Sequence, residues 1–144
     1  MTASTQQRCI TLPNGQRCLP TPFTYIFQVI LPLASSTLLN QVLTLDSDGD
    51  FFLRAIYAIG ANFNIRVQDA NTYYLSGGPA PAGGLPGMLP IQIFQSEPTP
   101  TGFVFDHEIF FPAGSRILFD VQDTSGAINN TLKLLCRGIK NLYV

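Results

Sequence analysis

Residues 63–68 alternate without a break: Phe63, Ile65 and Val67 fall on one side, and Asn64, Arg66 and Gln68 on the other. A period of two sends successive side chains to opposite faces of an extended strand, and a helix cannot gather such a pattern on one face. The rhythm returns in residues 116–122 with Ile117, Phe119 and Val121, and in residues 131–137 with Leu132, Leu134 and Cys136. In residues 37–45 it groups Leu39, Leu43 and Leu45 with Gln41. Residues 51–59 place Phe51, Leu53, Ala55, Tyr57 and Ile59 on one face. Residues 23–31 and 103–111 are rich in β-formers, residues 71–75 and 91–94 read as short strands, and residues 139–144 read as a last one. No stretch carries the period of an amphipathic helix. The expectation is an all-β chain: a single-domain, jelly-roll-like β-sandwich of about eight strands.

The punctuation sets the boundaries. Residues 1–22 are polar, carry Pro13, Pro20 and Pro22 with an Asn14-Gly15 turn signal, and lack a strand period. They read as an extended N-terminal arm, with a short strand near residues 9–12, ahead of a sandwich domain at 23–144. Residues 76–90 form a Gly/Pro-rich loop with no apolar pattern to pack. A loop of that length in a small domain is usually functional or mobile.

Charge is scarce. Only 12% of the 144 residues are Asp, Glu, Lys or Arg, against about 25% in a typical domain. Eight Lys and Arg spread along the chain make no phosphate footprint, so nucleic acid is not an expected partner. The longest apolar run, residues 23–34, is interrupted by Pro32 and is too short to span a bilayer, so no membrane is expected. A 46% hydrophobic content excludes intrinsic disorder. A surface with so little charge points instead to contact with other protein.

The chemical motifs are thin. Cys9, Cys18 and Cys136 are odd in number and contain no CxxC. They read as free thiols of a reducing compartment; whether Cys9 and Cys18 pair is open. Asp46-Ser47-Asp48-Gly49-Asp50 resembles a calcium loop, but the Gly falls at position four and Tyr57 at position twelve, so the EF-hand pattern fails. The three carboxylates either hold a hard cation or, more plainly, shape a hairpin turn. His107 lies between Asp106 and Glu108, which strand geometry turns to the opposite face. No nucleophile, metal or cofactor motif is present, and the chain is read as non-enzymatic, without cofactor or metal. Phe103 and Phe105 are hard to bury in the same strand as Phe110 and Phe111, and are candidates for an interface.

The segments Asp48-Gly49-Asp50-Phe51-Phe52-Leu53-Arg54-Ala55, Ile65-Arg66-Val67-Gln68-Asp69, Phe111-Pro112-Ala113-Gly114-Ser115-Arg116-Ile117, Phe119-Asp120-Val121-Gln122-Asp123 and Asn129-Asn130-Thr131-Leu132-Lys133-Leu134 resemble a pattern of strand ends and turns. It is the pattern of jelly-roll capsid cement, or decoration, proteins of tailed bacteriophages. The resemblance runs roughly from Asp46 to Lys140, and leaves out the N-terminal arm and the Gly/Pro loop.

It implies a virion structural protein on the capsid exterior, made in the host bacterial cytoplasm, that bridges neighbouring shell subunits. The implied partners are the major capsid protein and neighbouring copies of the chain, as a homo-oligomer with a dimer preferred and a trimer as the alternative. The contacts are then expected in the arm, at Cys9, Leu12, Pro13, Leu19 and Pro20, and in the loop, at Leu85, Pro86 and Met88, with Phe103 and Phe105 beside them. A neck, tail or fibre-attachment protein, or a carbohydrate-binding β-sandwich, would share the same architecture.

Overall fold

The alternating segments pair into two antiparallel sheets that close over one apolar core. The computed structural model describes residues 9–69, 74–76, 88–95 and 102–144. Ten strands are described: β1 (Ile10–Thr11), β2 (Arg17–Leu31), β3 (Thr37–Thr44), β4 (Gly49–Ile59), β5 (Phe63–Asp69), β6 (Tyr74–Ser76), β7 (Leu89–Pro90), β8 (Phe103–Phe111), β9 (Arg116–Asp123) and β10 (Asn130–Tyr143). One sheet has the order β1-β2-β10-β4-β8; the other is β3-β9-β5-β6, with β7 also on β5. The all-β sandwich read from the alternation is the fold observed, and no α-helix occurs among the described residues.

Setting aside the two-residue strands β1 and β7, the pairing is nested. The first long strand pairs with the last (β2 with β10), the second with the second-last (β3 with β9), then β4 with β8 and β5 with β6. The chain is thus a long hairpin folded over on itself, and its outermost pair brings Cys18 opposite Tyr143.

The core follows the alternation. Phe63, Ile65 and Val67 of β5, Ile117, Phe119 and Val121 of β9, and Leu132, Leu134 and Cys136 of β10 are all buried in it. Phe27 stacks on Phe119 from the opposite sheet, with ring centroids 4.7 Å apart.

Three boundaries differ from expectation, each for a physical reason. Arg17 to Pro22 belong to the sheet and not to an arm: β2 runs unbroken through Pro20 and Pro22, which lie opposite Asn141 and Ile139 of β10. The backbone of odd-numbered β2 residues faces β10, as the bond from Val144 N–H to Arg17 O shows. Pro20 and Pro22 therefore remove donors only from the outer edge. Residues 91–94 form a 3₁₀ turn, not a strand. Its three-residue period drives Ile91 and Phe94 together into the core. The side-chain amide of Gln95 locks it by donating to Ala58 O and Gly60 O, both at 3.1 Å.

The third difference lies in β4. Arg54 is an extra residue: the register against β10 jumps from Leu53↔Gly138 to Ala55↔Arg137. This bulge reverses the phase of the strand. Phe51 and Leu53 point inward as expected, but beyond Arg54 it is Ile56 and Ala58 that are fully buried, while Ile59 is exposed and Tyr57 half-buried. Beside it, residues 105–108 of β8 form a bulge between the pairs Leu53↔Ile109 and Ala55↔Val104.

Candidate functional site

Three groups of residues stand out by chemistry: the acidic turn, the outer face of the β3-β9-β5-β6 sheet, and the outer face of the β1-β2-β10-β4-β8 sheet.

The acidic turn joins β3 to β4, and it already holds a cation. Lys140 of β10, 1% exposed, reaches it from the end of the core. Its Nζ lies 3.0 Å from Asp46 Oδ2 and 2.7 Å from Asp48 Oδ1. It also sits 4.1 Å from the centroid of the Phe23 ring and 5.1 Å from that of Tyr25. The π-faces of both rings favour a positive charge. Burial pushes the lysine pKa down, but the hydrogen bonds to Asp48, Tyr25 and Asp46 outweigh it and hold it above its ordinary value. Asp50 turns away from the lysine, and its Oδ1 accepts from the Ala113 N–H at 2.9 Å and from the Tyr143 hydroxyl at 2.9 Å. Two carboxylates of the turn therefore answer an internal ammonium, and the third ties the β8–β9 turn to the end of β10.

On the outer face of the β3-β9-β5-β6 sheet, Arg66 and Asp120 are directly opposite each other on β5 and β9. Arg66 Nε donates to Asp120 Oδ2 at 2.7 Å, and a second guanidinium nitrogen lies at 2.6 Å from the same oxygen. Asp120 Oδ1 accepts the Asn40 N–H at 2.7 Å, at the point where β3 bulges between Leu38 and Gln41. Asn40 adopts a positive φ of 53°, which Asn tolerates better than most residues. The outward direction of Arg66 and Gln68 agrees with the alternation, but both are buried.

The outer face of the other sheet exposes large apolar side chains, with Lys133 and Arg137 of β10 set among them. Ile26 is 62% exposed, Val104 60% and Phe110 53%, with Ile30 and Ile59 also open. The register lines up Ile26 with Leu135 and Tyr57, and Pro22 with Ile139, Phe52 and Phe110. Phe52 and Phe110 touch, with centroids 5.3 Å apart. The pair Arg54–Glu108, at 2.6 Å, is an ionic contact on this face, with both side chains exposed, and Arg137 lies 5.8 Å from the centroid of the Tyr57 ring.

The residues expected at an interface are scattered. Cys9 and Pro13 are exposed and Leu12 half-buried, all beside the turn between β1 and β2. Leu19 and Pro20 are half-buried inside β2. Met88 is half-buried next to β7. Phe103 and Phe105 pack against the core, with their rings 5.1 Å apart and Phe103 against Phe94 at 5.7 Å. Phe103 and Phe105 share the inward side of β8 with Ile109 and Phe111, and Phe110 takes the outward side. Leu85 and Pro86, with most of the Gly/Pro loop, residues 1–8 of the arm and the start of the 71–75 segment, lie outside the described residues. His107 is exposed within the β8 bulge. The three cysteines are free thiols: Cys9 is exposed, while burial pushes up the pKa of Cys18 and takes that of Cys136 to about 12. No group of three or more potential metal ligands occurs among the described residues, and no helix there is long and apolar enough to cross a membrane.

Sequence reasoning missed the apolar outer face because the Arg54 bulge decides which β4 residues reach it. It missed Lys140 because 94 positions separate the lysine from Asp46 in the turn it serves. Comparison with known proteins finds no matching family model, no matching curated protein and no matching solved structure.

Proposed function

We propose that the chain is a non-enzymatic structural protein of a virion, a capsid cement or decoration protein that binds the major capsid protein on the shell exterior and bridges neighbouring subunits. The observation that carries this reading is the set of large apolar side chains exposed on the outer face of the five-stranded sheet, with Ile26, Val104 and Phe110 more than half exposed. Contiguous exposed apolar surface marks a protein contact. Many such contacts over a shell act together by multivalency, so that each one need only be modest. The nested strand pairing supports a jelly roll, the fold that the resemblance implies.

The carbohydrate-binding alternative drew on Asp46, Asp48 and Asp50 as a cation site. The engagement of two of these carboxylates by Lys140 argues against it.

Quantitative mass spectrometry of purified particles tests the proposal. A copy number in the hundreds, comparable to the shell protein, is expected; a number near six or twelve assigns the chain to a neck or tail, and absence from particles overturns both. The double variant Val104→Lys/Phe110→Lys, with an unchanged melting curve, is expected to lose particle occupancy. Full occupancy would move the contact to another surface.

A further inference from the structure

Among the described residues the sandwich has three long edge strands, and they are not alike. Edge strands expose a row of unsatisfied N–H and C=O groups, which proteins blunt with bulges, charges or prolines. β3 is blunted by the bulge at Leu39 and Asn40. β8 is blunted by its own bulge, which carries Asp106, His107 and Glu108. β2 has neither device above Pro22. Among the described residues β1 pairs with it only at Arg17 and Cys18, and residues 18–45 contain no charged side chain at all.

The direction of the free groups follows from the register. Odd-numbered residues of β2 bond to β10, and Cys18 turns its backbone outward to Ile10. The N–H and C=O groups of Thr24, Ile26, Gln28 and Ile30 therefore point away from the sheet, and all four residues are exposed. The open stretch is bounded at both ends by a residue without an N–H, Pro22 and Pro32. These two prolines are equidistant from Phe27.

We propose that this edge of β2 docks a second copy of the chain, with residues 23–31 of the two copies antiparallel about a two-fold axis at Phe27. In that register Thr24 faces Ile30 of the other copy and Ile26 faces Gln28. Every outward N–H meets an outward C=O, giving about eight hydrogen bonds across the axis. Sliding the register by one pair in either direction leaves an outward carbonyl of each copy facing a proline, which has no N–H to offer it. A two-fold contact must be self-complementary, and a neutral strand meets that condition without like-charge pairs. The product is one continuous sheet through both copies, with their apolar outer faces side by side. This inference stands apart from the capsid reading.

Light scattering on the purified full chain at micromolar concentration is expected to read twice the 15.7 kDa chain mass. Ile26→Pro removes an N–H that β10 does not use, and is expected to return the mass to that of one chain while the circular dichroism stays β-rich. If that variant fails to fold, cross-linking decides. Ile26→Cys/Gln28→Cys in a Cys9→Ser background places thiols on facing residues about 5.5 Å apart at Cα, within disulfide range, and is expected to form a covalent dimer on oxidation. A wild-type mass of one chain overturns the proposal. So does a dimer that neither Ile26→Pro disrupts nor the cysteine pair captures. A dimer that survives Ile26→Pro but is lost on deleting residues 1–8 assigns the contact to the N-terminal segment, and overturns the proposal as well.

Discussion

Lys140 shows how one buried charge is made tolerable. Its ammonium is withdrawn from water, but its two carboxylate partners remain more than half exposed, so the pair is unevenly solvated. The two ways of breaking it should therefore differ. Lys140→Met leaves two carboxylates that water can solvate, and is expected to cost less than about 1 kcal/mol in urea unfolding. Asp46→Asn/Asp48→Asn leaves the ammonium buried with ring faces, the Tyr25 hydroxyl and neutral amides, and is expected to cost about 2 kcal/mol, less than a fully buried pair. The sign of the pH dependence follows from the raised lysine pKa. The stabilisation is complete below the unfolded value of about 10.4, and fades as pH rises through the higher folded value. Wild type should lose more stability than Lys140→Met above that pH. Asp120 is the opposite case, with both partners buried. Asp120→Ala removes the acceptor that the Arg66 guanidinium and the Asn40 N–H share, and is expected to cost about 3 kcal/mol in the same unfolding measurement. Replacing Arg66 by Met as well is expected to cost less than the sum of the two single changes, which the same measurement reads as their coupling.

Among the elements, β10 carries the most. It pairs with β2 on one side and β4 on the other, along nearly its whole length. Gly138 lies where the register shifts, and a Cβ there would overlap the carbonyl oxygen of Phe52 in the neighbouring strand. Gly138→Ala is expected to lower stability by about 3 kcal/mol or more, read as a drop in denaturant midpoint. The strands were legible wherever alternation was clean, as in residues 63–68 and 116–122, because one buried face leaves a period of two in the residue order. The bulges were not. One inserted residue, Arg54, reverses everything after it and leaves no mark in the pattern. Ile91 to Phe94 alternate like a strand, and only their burial in a common core selects the tight turn. Pro20 and Pro22 suggested an arm because the edge of β2 that makes them harmless is a property of the assembled sheet. The same reason hid the candidate surface: which apolar residues face outward depends on those bulges.

For the molecule as a whole, the scarcity of charge has a structural counterpart. Several of the charged groups are used internally: Lys140 with Asp46 and Asp48, Arg66 with Asp120, and Asp123, which accepts from Ser125 and Asn130 and is thereby held below the ordinary carboxylate range despite burial. The outer face of the five-stranded sheet keeps Arg54, Glu108, Lys133 and Arg137, and between them exposes isoleucine, valine and phenylalanine. The nested pairing also has a mechanical meaning. The start of β2 lies beside the end of β10, so a pull separating residues 17 and 143 opens their ladder one bond at a time, like a zip. Tension applied instead at residues 17 and 130 loads the whole ladder in shear. In single-molecule stretching the first geometry is expected to yield at low force and the second to hold to several times more. A molecule built this way bears load best when it is gripped by its faces and edges and its chain ends are left slack.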